Sequence, residues 1–271
     1  MSQGLRALEN EVGVVLIRLP RGAQLTAAGR SMLPLAQAAL RDVAAARGAV
    51  DAVRGLESGT LDVLCLPTLA STPTAGLVGA FRVAHPGVVV RIHQPESVDD
   101  LLERMREGRS EIGVTELPVP GDGLTAVPLG AHDFVALVPA DQARSVVTPA
   151  ALARLPLITT PKGTSTRRQL DEIFALLDRR PNVAVETEHR DAMVPLVAAG
   201  AGVALVPRPA QPLAAGSGVA IAEVRPAVRR RIGLVHRTGD LPPAAQTFVE
   251  LAVGRTVTSP RRPPARRRPS S

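Results

Sequence analysis

The chain has 271 residues, 45% of them hydrophobic, which is enough for one to three domains and a sizeable core. Its formal net charge is +7, but Arg261, Arg262, Arg266, Arg267 and Arg268 crowd the last twelve residues, and setting those five aside leaves +2 on the rest, which argues against a body coated in basic surface. One cysteine, Cys65, excludes an intrachain disulfide framework and a Cys-rich zinc site, and the lack of Trp and Tyr argues against stacking on single-stranded nucleic acid.

The N-terminus, MSQGLRALENEVG, is charged almost at once and has no apolar secretion core, and no apolar run approaches the roughly 20 residues of a membrane span. A soluble, cytoplasmic protein is expected. Residues 1–25 read as a short helix and an Arg/Gly-containing turn. Residues 26–57 read as one long helix opened by Thr26 as N-cap. Its Leu33, Ala36, Leu40, Val43, Ala46, Val50 and Val53 form a single stripe, suited to pairing with a second helix, and Pro34 is placed to kink it early.

Residues 58–257 alternate strands with helices. LDVLCLP (61–67) is a buried strand, followed by a helix with Thr72 as N-cap and Pro73 in its first turn. GVVVRIHQ (87–94) is a strand, and SVDDLLERMREG (97–108) is a helix whose Ser97 and Asp100 have capping-box spacing. Strands follow at 111–117 and 134–140, a short helix opens at Thr148-Pro149, and PLITTP (156–161) is a strand. Thr166 with Gln169 is expected to cap a helix running to about Asp178. Strands at 182–188, 202–208, 219–224 and 231–237 enclose a helix at 191–200, and 242–255 is the last helix. This alternation implies an α/β fold of mostly parallel sheets with helices on both faces. Two passes of the same grammar point to two lobes: about 58–140 with 228–257, and about 141–227. Residues 258–271, rich in Pro, Arg and Ser, are expected to be a disordered basic tail.

Within this body some residues stand where a ligand can bind. Open α/β sheets bind ligands beyond the carboxyl ends of their strands. Thr68, Ser71 and Thr72 follow the first strand and offer hydroxyls there, and Thr115 stands in the same relation to the strand at 111–114. Thr164 and Ser165, in the cluster KGTSTRR (162–168), offer hydroxyls at a helix start beside Lys162, Arg167 and Arg168, a setting for a small anion. The blander alternative for all of these is helix capping and solvated charge. The segment GAG (200–202) follows a helix and precedes a strand, the reverse of the dinucleotide-binding order, and reads as a helix C-cap. His85, His93, His132, His189 and His236 lack metal-ligand spacing. No nucleophile elbow, zinc-protease or phosphate-loop motif occurs, so no metal, cofactor or catalytic residue is assigned. Cys65 reads as a small buried hydrophobe, since a redox sensor needs an exposed, low-pKa thiol.

Residues 2–29 carry a longer pattern. Ser2, Leu5, Leu8, Glu9, Val12, Gly13, Leu16, Ile17, Arg18, Leu25, Thr26 and Gly29 resemble the recognition helix, wing and L-T-x-A-G segment of LysR-type transcriptional regulators. The long helix after them, the strand before PTLAST and the phrase LVAAGAGVALVP resemble the same family. The resemblance covers about residues 2–256. It implies a remnant of a winged helix-turn-helix, a linker helix for homodimers or tetramers, and a two-lobed, periplasmic-binding-protein-like domain that holds a small, often anionic effector. It further implies DNA contacts by Ser2, Gln3, Arg6, Arg18 and Arg21, and an effector cleft near Gly202. The family's two preceding helices have no counterpart here, and Met1 falls where an apolar residue is usual, so a start misplaced within a longer reading frame is expected. A headless effector-binding protein without DNA binding, or a solute-binding module, is the alternative.

Overall fold

The computed structural model describes residues 3–18, 23–33, 35, 36, 39, 43, 59–95, 97–208 and 217–258. Ser2, Arg21, most of the stripe beyond Ala36 and the tail after Thr258 lie outside the described residues. At the N-terminus, helix α1 (Gln3–Val12) leads to a two-stranded antiparallel wing, β1 (Ile17–Arg18) and β2 (Gln24–Leu25), and then to helix α2, which opens at residue 27. Two side chains of the recognised pattern hold this path. The Glu9 carboxylate accepts from the backbone N–H of Leu16 (2.7 Å) and Ile17 (3.1 Å). The Thr26 hydroxyl donates to the Val15 carbonyl (2.7 Å) and accepts from the Gly29 N–H (3.0 Å), which makes Thr26 the N-cap of α2. A Cβ at Gly29 would collide with the Leu16 carbonyl, so only glycine lets α2 lie against the wing.

The body begins with β3 (Gly59–Cys65), parallel to both β4 (Val88–His93) and β5 (Ile112–Leu117). The first crossover differs from expectation. A helical turn, α3 (Pro67–Leu69), already starts at the end of β3. The chain widens through Ala70–Thr74, where Thr72 is extended (φ −149°, ψ 122°), and continues as α4 (Ala75–Ala84). Thr72 therefore interrupts a helical path instead of opening one. The second crossover is α5 (Val98–Arg106), capped by the Ser97 hydroxyl, which accepts from Asp100 N–H at 3.0 Å. Its Val98, Leu101, Leu102 and Met105 form one buried stripe.

Strand β6 (Leu124–Pro139) is 16 residues long and starts ten residues before the expected strand. Its first half carries Pro128, Gly130 and exposed Thr125, Ala126 and Ala131, so its strand character comes from pairing with β12 (Arg229–Arg237) and not from hydrophobic patterning. From Phe134 onward it pairs with β10 (Val203–Pro207) on one side and β11 (Val219–Val224) on the other. The remaining elements are β7 (Val146–Val147), α6 (Pro149–Leu152), β8 (Leu157–Thr159), α7 (Ser165–Ala175), β9 (Val183–Glu186), α8 (Met193–Ala198) and α9 (Pro243–Thr258). Thr148 caps α6 as expected, its hydroxyl accepting from Ala151 N–H at 3.1 Å. Helix α7 is capped by Thr164 and not by Thr166; Thr164 precedes the first residue with helical backbone and accepts from Arg167 N–H.

The sheet order is β4-β3-β5-β12-β6-β10-β8-β9, with β11 on β6 and β7 on β11. Its ends are parallel, but β12 runs antiparallel to β5 and β6, and β6 antiparallel to β10 and β11, so the sheet is mixed instead of mostly parallel. The physical reason is that two strands must carry the chain between lobes, out along β6 and back into β12. Each lobe has its own core. The first contains Leu61, Val63, Leu101, Met105, Val114, Leu234 and the edge-on pair Phe81–Phe248, 5.4 Å between ring centroids. In the second, alternate residues of β6 face opposite helices: Phe134, Ala136 and Val138 pack with Leu170 and Phe174, while Val135 and Leu137 pack with Met193 and Val197. The fold is thus two α/β lobes joined by two extended segments. No helix of the described residues is long and apolar enough to cross a membrane.

Candidate effector cleft

The carboxyl end of β3 and the turn after it face the amino end of α7 and the 3-10 turn Arg190–Ala192 across a cleft between the lobes. Two chambers lie in it. One, of about 440 Å³, is walled by Pro67, Leu137, Met193, Val194, Val206 and Pro207, with Thr68, Ser71, Thr72, Thr160, Thr166, Arg190 and Asp191 completing its lining. The other, of about 430 Å³, is lined by Gln94, Ser97, Lys162, Thr164, Ser165 and Glu188, among others. Pro67, Thr160 and Arg190 belong to both, so the chambers meet there. An apolar compartment beside a polar one, with few convergent polar groups, is the usual form of a small-molecule site.

A buried arginine crosses the cleft floor. Arg230 on β12 is 4% exposed; it donates to the Ser165 hydroxyl (2.8 Å) of one lobe and the Thr68 hydroxyl (3.1 Å) of the other. Its guanidinium carbon lies 5.5 Å from the Phe134 ring centroid, and Glu116 lies 3.8 Å away. Burial pushes the Arg230 pKa down, opposed by Glu116, yet a guanidinium stays charged in proteins. Burial also raises the Glu116 carboxyl, which pairs with Arg168 of α7, a second tie between lobes. Next to Arg230, buried His132 is held neutral: burial first, then the Arg230 charge, lower it from 6.5 to about 4.

Most of the residues expected at a ligand site do come together. Thr68, Ser71 and Thr72 line the apolar chamber, and Thr164 and Ser165 line the polar one. Two do not. Thr115 is fully buried within β5, because that strand is covered on both faces, and it lines neither chamber. Gly202 also lines neither. The α8 end closes as the expected C-cap, with Ala201 N–H on the Leu196 carbonyl and Gly200 N–H on that of Val197, and a Cβ at Gly202 would press on the Pro156 carbonyl (2.5 Å). Gly202 therefore serves close packing of β10 on β8.

The arginines of KGTSTRR are committed elsewhere. Arg167 pairs with Asp171 (3.0 Å) and Glu186 (2.8 Å), and Arg168 with Glu116. Sequence reasoning missed Arg190, Arg230 and Glu116. Their only sequence signal is charge inside apolar stretches, which does not say which charge turns inward. In the head, Gln3 and Arg6 on α1 and Arg18 on β1 are exposed.

Two packed α/β lobes around a ligand-sized cleft, behind a helix and a wing, define an effector-binding regulator of periplasmic-binding-protein-like architecture. Residues 54–256 match the model of the LysR substrate binding domain, and the chain belongs to the LysR family of transcriptional regulators. It is 30% identical over 274 residues to a probable hydrogen peroxide-inducible genes activator of Mycobacterium leprae (strain TN), covering 96% of this chain and 85% of that protein. It superimposes on the full-length LysR regulator CbnR in complex with its target DNA with a TM-score of 0.68 and 26% identity, covering 93% and 87% of the two chains. A cysteine mutant of Corynebacterium glutamicum OxyR with hydrogen peroxide bound gives a TM-score of 0.64 at 26% identity, covering 94% and 85%.

Proposed function

We propose that this LysR-type regulator binds a small effector between residues 67–72 of one lobe and residues 160–166 with Arg190 of the other, and that lobe closure is passed to DNA-binding heads. The observation that carries this is Arg230, whose two hydrogen bonds end on a hydroxyl from each side of the cleft. A ligand that bonds Thr68 or Ser165 acts on the groups that hold that tie and so has unequal affinity for different lobe arrangements. Only such a difference shifts a conformational equilibrium.

Lobe I is taken as β3 to Asp133 with Arg229 to the end of α9, and lobe II as the chain between. The helix opening at residue 27 is assigned to pairing with a second copy. Exposed Gln3, Arg6 and Arg18, with Ser2 and Arg21 beside them in sequence, are assigned to the DNA face, with arginines neutralising phosphate. Such a regulator works in the cytoplasm, alongside the chromosome, and no catalytic role is assigned, in keeping with relatives that are transcription regulators.

Peroxide chemistry does not carry over from relatives bearing that name. Reaction with peroxide needs a thiolate, and Cys65 is 2% exposed, hydrogen-bonded with Thr74, and pushed by burial to about 11. The signal is therefore assigned to ligand binding.

The test joins a thermal-shift screen of small metabolites with fluorescence anisotropy on the duplex upstream of the chain's own gene. A stabilising metabolite is expected to change affinity for that duplex but not for a scrambled one. The double variant Thr68→Ala with Ser71→Ala is expected to weaken its binding without unfolding the chain. A metabolite that binds with the same affinity in that variant, or leaves DNA affinity unchanged, refutes the reading.

A further inference from the structure

Two groups lining the cleft chambers lack side-chain partners among the described residues, and they point to the chemistry of what fills it. The first is Arg190. Arg167, Arg168 and Arg230 each have a carboxylate within 4.0 Å, whereas the Arg190 guanidinium forms no ion pair or hydrogen bond with the described residues, and its Nε is buried without a partner. Arg190 is half-buried, and burial lowers its pKa, so the site bears a partly desolvated cation with no carboxylate within 4.0 Å among the described residues. The second is Thr166. It is 4% exposed, it lines the apolar chamber, and its hydroxyl has no partner among the described residues. Because Thr164 takes the capping role, the Thr166 hydroxyl is free for a ligand.

Arg190 stands where the polar and apolar chambers meet. An inorganic anion there would pair with the guanidinium but leave the compartment of Leu137, Met193, Val194 and Val206 unfilled. A neutral hydrocarbon would fill it and leave the cation bare. A molecule with a carboxylate at one end and a compact ring at the other satisfies both, and a ring oxygen or hydroxyl can reach Thr166.

We propose that the effector is a small amphipathic monocarboxylate, aromatic or alicyclic, whose carboxylate pairs with Arg190 and whose ring occupies the apolar chamber under Thr166. This rests on the reading that an effector occupies the cleft and adds the class of ligand.

The experiment is isothermal titration calorimetry on the full chain with benzoate, cyclohexanecarboxylate, their amides, acetate and inorganic phosphate. At least one ring carboxylate is expected to bind about tenfold or more tightly than its amide and than acetate. Arg190→Gln should bring carboxylate and amide to similar affinity, and Arg190→Lys should restore part of the preference. Val194→Trp, which fills the chamber, should abolish binding while circular dichroism reports a folded chain.

The proposal is overturned if no ring carboxylate binds, if the amides bind as tightly, or if Arg190→Gln leaves the preference intact. Binding of acetate or phosphate alone, sensitive to Arg190→Gln, overturns the ligand class and leaves the cleft reading standing. Ring-carboxylate binding with these preferences but no effect on DNA affinity upholds the class and refutes the regulatory reading.

Discussion

The head and the body of this chain are held by different forces. Among the described residues of the head, residues 3–18 and 23–33, Leu16 is the only buried hydrophobic side chain, and α1 buries none of its residues. What fixes its path is a few directed hydrogen bonds from Glu9 and Thr26. The body has three packed clusters, with four phenylalanines and many aliphatic side chains excluded from water. Directed polar contacts specify a local path at small net free energy, whereas stability grows with apolar area buried. The comparison therefore predicts a head that opens locally and a body that unfolds cooperatively.

The largest expected effect is on the body. Phe248→Ala removes a fully buried ring stacked edge-on against Phe81 and should cost about 3–5 kcal/mol in denaturant unfolding. Loss below 1 kcal/mol would mean that the lobe I core is not the stabilising unit. Next comes pH. The folded chain holds His132 near 4 against 6.5 when unfolded, so between those values the unfolded state binds more protons. Stability is complete above pH 6.5 and falls as pH drops toward 4, by about 3 kcal/mol from this residue. His132→Gln should flatten that slope in urea titrations at stepped pH, and an unchanged slope would count against a neutral buried imidazole.

Smaller effects belong to the head. Glu9→Ala removes a carboxylate holding two backbone N–H groups and should cost the head about 2 kcal/mol, read as faster hydrogen exchange at Leu16 and Ile17. Thr26→Ala should cost about 1 kcal/mol, with faster exchange at Gly29. In both, the unfolding midpoint of the body should stay where it was. A body destabilised equally would erase the distinction between the two regions.

The same contrast explains what was legible. Glu9, Thr26 and Gly29 act on neighbours seven to thirteen residues away, and local constraints of that kind leave a fixed spacing in the sequence. Ser97 and Thr148 were likewise readable as caps, since a cap bonds a backbone N–H three residues on. Thr164 and Thr166 could not be told apart, because both are hydroxyls at a plausible offset and only the backbone decides which one precedes the helix. The first half of β6 was illegible because its strand partner, β12, lies about a hundred residues away.

The sequence by itself determined the family, the α/β class, the wing and the cleft hydroxyls Thr68, Ser71, Thr164 and Ser165. Each follows from residue type and short spacing, which local physics reads directly. Only the tertiary structure decided that Thr115 and Gly202 turn away from the cleft, that Arg167 and Arg168 are already paired, and that Arg230 ties the lobes while the Arg190 guanidinium has no partner among the described residues. An arginine carries the same charge in every sequence. Whether a carboxylate meets it depends on residues far along the chain, such as Glu116 for Arg168, and only folding brings those together.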